Sequence, residues 1–241
     1  MSQAVREAAT GGRVRVSRDR ALRAAVALAD EGGLESLTMR SLAHELGVVP
    51  MALYKHVANK DDLIDGMVDI IVGEIDPATA DADWRTAARE RILSARRALL
   101  RHPWARAAIE SRTTMTPVVL DYMESMIGIF RSGGLSVDLT HHVLHALAGR
   151  IWGFTQEVFA DPPPAESATV DPEAQAAAFA EMATRYPYSL EIAMAIAHDD
   201  TSIVGGGCDD QFEFEFALDI LLDGFARLHQ QGWTSAGRHD G

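Results

Sequence analysis

The chain has 241 residues, a formal net charge of −13 and one cysteine, with 47% of its residues hydrophobic and 24% charged. That length and apolar fraction allow one large packed domain or two small ones, and no run of about 18 apolar residues is present to span a membrane. The N-terminal stretch is polar, so no secretory signal is expected, and the lone Cys208 cannot form an internal disulfide, which fits a reducing cytoplasm.

Charge is unevenly placed. Residues 1–60 carry a net +3 and residues 61–241 a net −16. An acidic protein is ordinarily a poor partner for a polyanion, but a basic head leaves that role open to the head alone.

Helical periodicity dominates, and no series of alternating strands with turn pairs interrupts it. Residues 1–17 read as a flexible basic arm, and Arg6, Arg13, Arg15, Arg18 and Arg20 are candidates to meet phosphates or an adjacent minor groove. A helix over 18–32 follows, capped by Ser17 and stopped at Gly32-Gly33. Two short helices come next: one over 39–46, capped by Thr38 and closed by Gly47, and one over 50–57, opened by Pro50. Asn59 caps a helix over 60–75 that ends at Asp76-Pro77.

Residues 77–83 form a connector. It divides an N-terminal domain over 18–76 from a body over 84–231, with 232–241 as a tail. Body helices are expected over 84–101, 115–132, 136–160, 171–185, 187–198 and 210–231, with clear loops at 161–164 and 202–208. Phe212-Glu-Phe-Glu-Phe216 alternates like a strand, yet Phe212, Phe216 and Ile220 share one helical face, so helix is expected. The fold class is all-α: a helix-turn-helix head and a larger helical domain.

The densest constellation is LTMRSLAHELGVVPMALYKHVANKDDL, residues 37–63. Two short helices joined through Gly47 need apolar residues at fixed offsets, and Leu42, Ala43, Leu46, Val48, Leu53 and Val57 supply them. Gly47 stands where the chain must turn with positive φ. Burying Leu53 and Val57 leaves Pro50, Met51, Ala52, Tyr54 and Lys55 facing outward. An exposed tyrosine beside lysine and histidine suits a helix laid in a major groove.

Residues 18–63 resemble the DNA-binding domain of the TetR family of transcriptional regulators, through T-x-R-x-L-A-x-x-L-G-V and A-L-Y-x-H-V-x-N-K-x-x-L. The resemblance implies phosphate contacts from Tyr54, His56 and Lys60, and a base or phosphate contact from Arg40. Thr38, Arg40, Pro50, Met51, Ala52, Tyr54, Lys55, His56 and Lys60 are therefore the candidate DNA-binding set. Pro50, Met51 and Ala52 offer no bidentate hydrogen-bonding group, so thymine methyl contacts and DNA shape must carry part of the specificity.

The body resembles the tetracycline-repressor type of C-terminal domain, at residues 84–101, at Tyr186-Pro187 and at 209–225. The last helix is apolar on too many sides for a surface helix, and a twofold partner is the economical cover. Phe216, Ile220, Leu221 and Phe225 are the candidate dimer interface; the resemblance implies a four-helix dimer bundle with the helix at 136–160. Trp104, Arg112, Met115, His141, His145, Trp152, Gln156 and Glu157 are candidates to bind a small apolar effector. His141 and His145 are spaced i, i+4 but lack a third ligand, so neither metal nor cofactor is expected. The expected partners are double-stranded operator DNA, a second copy of the chain and an unidentified effector, with no membrane.

Two other classes compete. An enzyme lacks positive support, because no G-x-S-x-G, P-loop, C-x-x-C, H-E-x-x-H or dinucleotide turn is present. A nonspecific architectural DNA binder conflicts with the acidic body. Within the regulatory reading, a constitutive DNA-binding dimer without an effector remains the alternative.

Overall fold

A computed structural model describes residues 16–153, 172–196 and 210–238. All regular structure among them is helical. The helices are α1 (Arg18–Ser36), α2 (Met39–Glu45), α3 (Pro50–Leu53), α4 (Lys60–Gly73), α5 (Trp84–Arg101), α6 (Ala105–Glu110), α7 (Pro117–Ser132), α8 (Val137–Gly153), α9 (Pro172–Arg185), α10 (Pro187–Ile196) and α11 (Asp210–Gln230). A 3-10 turn, Ser235–Arg238, follows.

The helix starts follow from side chains that satisfy first-turn amides. The Ser17 hydroxyl accepts from the Arg20 amide at 3.2 Å, and Asn59 accepts from the Asp62 amide at 2.8 Å. Thr38 and Ser41 form a reciprocal capping box on α2. Asp83 accepts from the amides of Arg85 and Thr86 on α5, and Thr116 caps α7 ahead of Pro117.

Several expected bounds shift. The first helix bends at Gly33, whose φ of 74° only glycine adopts freely, and then runs on to Ser36. The expected helix over 50–57 is regular only to Leu53 and continues as turns. A helix unforeseen in the sequence, α6, fills part of the expected gap between 101 and 115. Residues 115 and 116 lie before α7, because Pro117 is its first residue. The tail contains the 3-10 turn, which Asp138 holds by accepting from the Ser235 amide at 2.6 Å and hydroxyl at 2.8 Å. The arm at 1–15, helix positions 154–160, 171 and 197–198, and the loops at 161–164 and 202–208 lie outside the described residues.

The described residues fall into two compact units, dividing between Ala146 and Leu147 and again between Gly232 and Trp233. In the first, α1 packs on α2 and α4, and α2 on α3. Ala25, Val26, Leu42, Ala43, Leu53, Val57 and Leu63 are buried there, while Leu46 and Val48 are half-buried. Burying one such leucine stabilises the fold by about 1.5–3 kcal/mol. Helix α4 also packs against α5, α6 and α7, so residues 77–83 do not leave the three-helix head hanging free. In the second unit α9 packs on α10, and α11 buries Phe214, Leu218, Leu222 and Phe225.

Candidate nucleic-acid interface

Gly47, with φ of 66°, turns the chain between α2 and α3. Leu53 and Val57 point inward and are almost wholly buried. Their helical neighbours must therefore face out. Pro50, Met51, Tyr54, Lys55 and Lys60 are exposed, with Ala52 and His56 half-buried. Thr38 and Arg40 are exposed at the start of α2. The Thr38 hydroxyl is also a cap, accepting from the Ser41 amide at 3.0 Å.

The stretch between α3 and α4 carries His56 and leads into Lys60, and one ion pair fixes it. Arg18 contacts Asp62 bidentately, at 2.6 and 2.9 Å. The same guanidinium donates to the His56 carbonyl at 3.0 Å, and Asp62 accepts from the Ala58 amide at 2.7 Å. The hydrogen bond from Arg18 holds the Asp62 carboxyl below its ordinary range, against the opposing effect of burial, and the Ala58 amide adds to the lowering. Arg18, one of the candidate DNA contacts of the arm, has a side chain that clamps α1 to the start of α4. Arg6, Arg13 and Arg15 lie outside the described residues.

A second cluster joins α4 to the helices after it. Asp61, Asp65 and Asp69 recur every fourth residue and share one face. Arg112 meets Asp61 at 3.2 Å and Asp65 at 3.1 Å, and the Thr116 hydroxyl donates to Asp69. At the far end of α4, Glu74 accepts from Arg101 at 2.6 Å and faces the His102 Nε2 at 3.3 Å. Asp30 of α1 accepts from the Trp104 indole at 2.6 Å and meets the His102 Nδ1 at 2.7 Å.

The expected effector residues are not gathered by these contacts. Trp104 is buried with its indole N–H on Asp30, and Arg112 is engaged with α4, so each has an intramolecular partner. Met115 is 61% exposed. His141 and His145 are exposed on α8, their ring centroids 4.5 Å apart. The Trp152 backbone belongs to α8, and Gln156 and Glu157 lie outside the described residues. Among the described residues no group of three or more His, Cys, Asp or Glu side chains is placed to hold a metal, and no helix is long and apolar enough to cross a membrane.

On α11, Phe216 and Ile220 are more than half exposed, with Phe212 stacked on Phe216 at 6.2 Å. Leu221 is half-buried. Phe225 departs from the expected interface: it lies one turn beyond Leu222 on the covered face with Phe214 and Leu218, and is itself buried. The pairs Arg18–Asp62, Asp30–His102 and Asp65–Arg112 were not foreseen. Only the acidic repeat at 61, 65 and 69 gave a sequence signal, as a polar stripe on an otherwise apolar helix.

Residues 21–67 match the family model described as bacterial regulatory proteins, tetR family, and residues 76–228 match that described as the tetracyclin repressor-like C-terminal domain. The chain belongs to the TetR family. It is 36% identical over 137 residues to the HTH-type transcriptional repressor DrrR1 of Streptomyces coeruleorubidus, covering 54% of this chain and 49% of that one. With the class D tetracycline repressor protein of Escherichia coli the identity is 39% over 92 residues, covering 36% and 42%. The chain thus spans about half the length, or less, of these two curated relatives. The HTH-type transcriptional repressor Rv1353c of Mycobacterium tuberculosis is 25% identical over 219 residues, covering 87% of this chain and 80% of that one.

Among solved structures, the TetR-family protein ActR of Streptomyces coelicolor in complex with (S)-DNPA superposes with a TM-score of 0.65 at 26% identity, covering 89% of this chain and 99% of that one. A possible TetR family transcriptional regulator from Streptomyces coelicolor A3(2) gives 0.66 at 28%, covering 88% and 100%. As in this family generally, the head is a helix-turn-helix followed by a larger helical domain.

Proposed function

We propose that this TetR-family chain acts as a homodimeric transcriptional repressor, released from a palindromic operator by a small apolar effector. The observation that carries the reading is the outward row Met51, Tyr54, Lys55 and Lys60, set on a three-helix core with a clamped turn between Lys55 and Lys60. Tyr54, His56 and Lys60 anchor phosphates, while Arg40 and Lys55 are the groups with reach for a guanine edge. Pro50, Met51 and Ala52 present apolar surface to thymine methyls, and Thr38 orients α2 beside the backbone. Residues 1–17 then form the arm, 18–76 the head with its linking helix, and 84–231 the effector-binding and dimerisation domain.

Phe212, Phe216 and Ile220 form the apolar row that a second copy would cover, which supports a twofold dimer with two heads. ActR, a structural relative, is described in complex with (S)-DNPA, which supports an effector site in this chain outside the head. Helix α4 is the natural lever, because its N-terminus carries Lys60 and its acidic face is gripped by Arg112 and Thr116. An effector that favours one of two head spacings weakens operator binding by its differential affinity for them.

The test is fluorescence anisotropy of the full chain on a short palindromic duplex and on scrambled DNA at matched salt. Specific binding that falls steeply with salt and saturates at two chains per duplex supports the reading. Equal affinity for both duplexes would favour an architectural binder, and no binding at all would remove the DNA role.

A further inference from the structure

His102 is 8% exposed and stands at the junction of α5 and α6. Its Nδ1 meets Asp30 Oδ1 of α1 at 2.7 Å, and its Nε2 meets Glu74 Oε2, at the C-cap of α4, at 3.3 Å. The charged groups facing it are Asp30 from α1, Glu74 from α4 and Arg101 from α5, which donates to Glu74 at 2.6 Å. The Trp104 indole lies edge-on to the ring, with centroids 6.1 Å apart, and donates to the same Asp30 oxygen.

A neutral imidazole has one N–H and one lone pair. Two carboxylates on its two nitrogens are both satisfied only when both nitrogens carry protons. In the neutral ring with Nδ1–H donated to Asp30, the shorter contact, the Nε2 lone pair would face the Glu74 carboxylate at close range. Burial makes that mismatch costly, because little water is available to relieve it.

We propose that His102, as an imidazolium, is a proton-operated latch tying α1 and the end of α4 to the α5–α6 junction. The latch is closed while both ring nitrogens carry protons, and it opens at the Glu74 side when Nε2 loses its proton. Asp30 keeps its indole bond and Glu74 its Arg101 bond in either state, so what the proton adds or removes is the direct tie between the ring and the end of α4. Any consequence for operator affinity rests on the repressor reading. The latch itself does not.

Two measurements separate these points. Side-chain nitrogen NMR of the full chain, with the His102 signals assigned by their loss in His102→Gln, reads both ring nitrogens directly. Protons on both nitrogens at the acid end of a pH series over which the chain stays folded, with Nε2 losing its proton in preference to Nδ1 as the pH is raised, are expected. A ring that is neutral throughout that series, or one that keeps its proton on Nε2 and not on Nδ1, would overturn the latch without variants. Thermal unfolding then compares the wild type with Glu74→Gln, whose amide can donate to a neutral Nε2. The wild type should lose about 2–4 °C relative to that variant across this range. Parallel pH profiles would overturn the proposal. If both results hold but operator affinity does not change with pH in the wild type, the latch stands and its link to DNA binding falls.

Discussion

Helices α1 and α4 cross closely at Gly66, and the cost of adding one methyl group there can be worked from the structure. A Cβ at Gly66 would lie 2.6 Å from Leu22 Cδ2, 2.8 Å from Cδ1 and 3.3 Å from Cγ. Leu22 is itself buried, so it has little room to rotate away. Gly→Ala in a helix gains about 1 kcal/mol from intrinsic propensity, while overpacking a core costs about 1–3 kcal/mol. Gly66→Ala should therefore be net destabilising by up to about 2 kcal/mol. Gly73, in the same helix, is exposed and has nothing within 4 Å of its would-be Cβ, so Gly73→Ala should stabilise by about 0.5–1 kcal/mol.

Opposite signs in one helix isolate packing from propensity. Leu22→Ala alone should cost about 2–5 kcal/mol, and adding Gly66→Ala to it should cost little more or recover some stability, because the new methyl occupies vacated space. Urea unfolding with a common slope supplies all four numbers. Gly66→Ala stabilising as much as Gly73→Ala, or simple additivity with Leu22→Ala, would refute the described α1–α4 contact.

Lys60→Ala should weaken binding to all duplexes by similar factors and lower the salt slope by about one unit, measured by anisotropy titrations across a salt series; a change in base preference with an unchanged slope would contradict a phosphate role. Phe216→Glu or Ile220→Arg places charge on a side chain already exposed in the single chain, so secondary structure by circular dichroism should persist while sedimentation shows monomers; a dimer that survives both would exclude this face. The Asp62 carboxyl is depressed from its ordinary 3.8, so the clamp contributes stability above that value and loses it as pH falls through the depressed one. The exposed ion pair is worth under about 1 kcal/mol, and the unfolding midpoints of wild type and Asp62→Asn should converge in acid; a gap that widens would reverse the assignment.

Local chemistry made much of this fold legible. Asp83 and Arg101 bound α5 where expected because a cap and an exposed basic end mark the sequence itself. Ser17, Thr38 and Asn59 likewise act as the caps that their positions suggested, and Leu42, Ala43, Leu53 and Val57 are the core that the helix-turn-helix spacing requires. The short α6 escaped because Trp104, its N-cap, makes no side-chain cap bond, so nothing local announces it. The site was half legible for a related reason. Exposure of Tyr54 and Lys55 follows from burial of their neighbours, whereas Asp30 and His102 are 72 positions apart and meet only through packing. Packing also gives three residues surroundings that residue type alone does not show. Arg18 and Trp104 were read by residue type, but nearby carboxylates on α4 and α1 engage their donors. Phe225 was read as one of many apolar residues on α11; the 214–218–222–225 spacing places it on the covered side.

The central claim is that two copies of this head read a twofold-symmetric DNA site. In vitro selection from a random duplex pool with the full chain, under salt that suppresses nonspecific binding, tests it most directly. The account predicts enrichment of an inverted repeat whose half-sites lie about one helical turn apart, lost with Lys60→Ala and with a dimer-breaking change at Phe216. Enrichment of a single asymmetric site, or of no sequence at all, would contradict it.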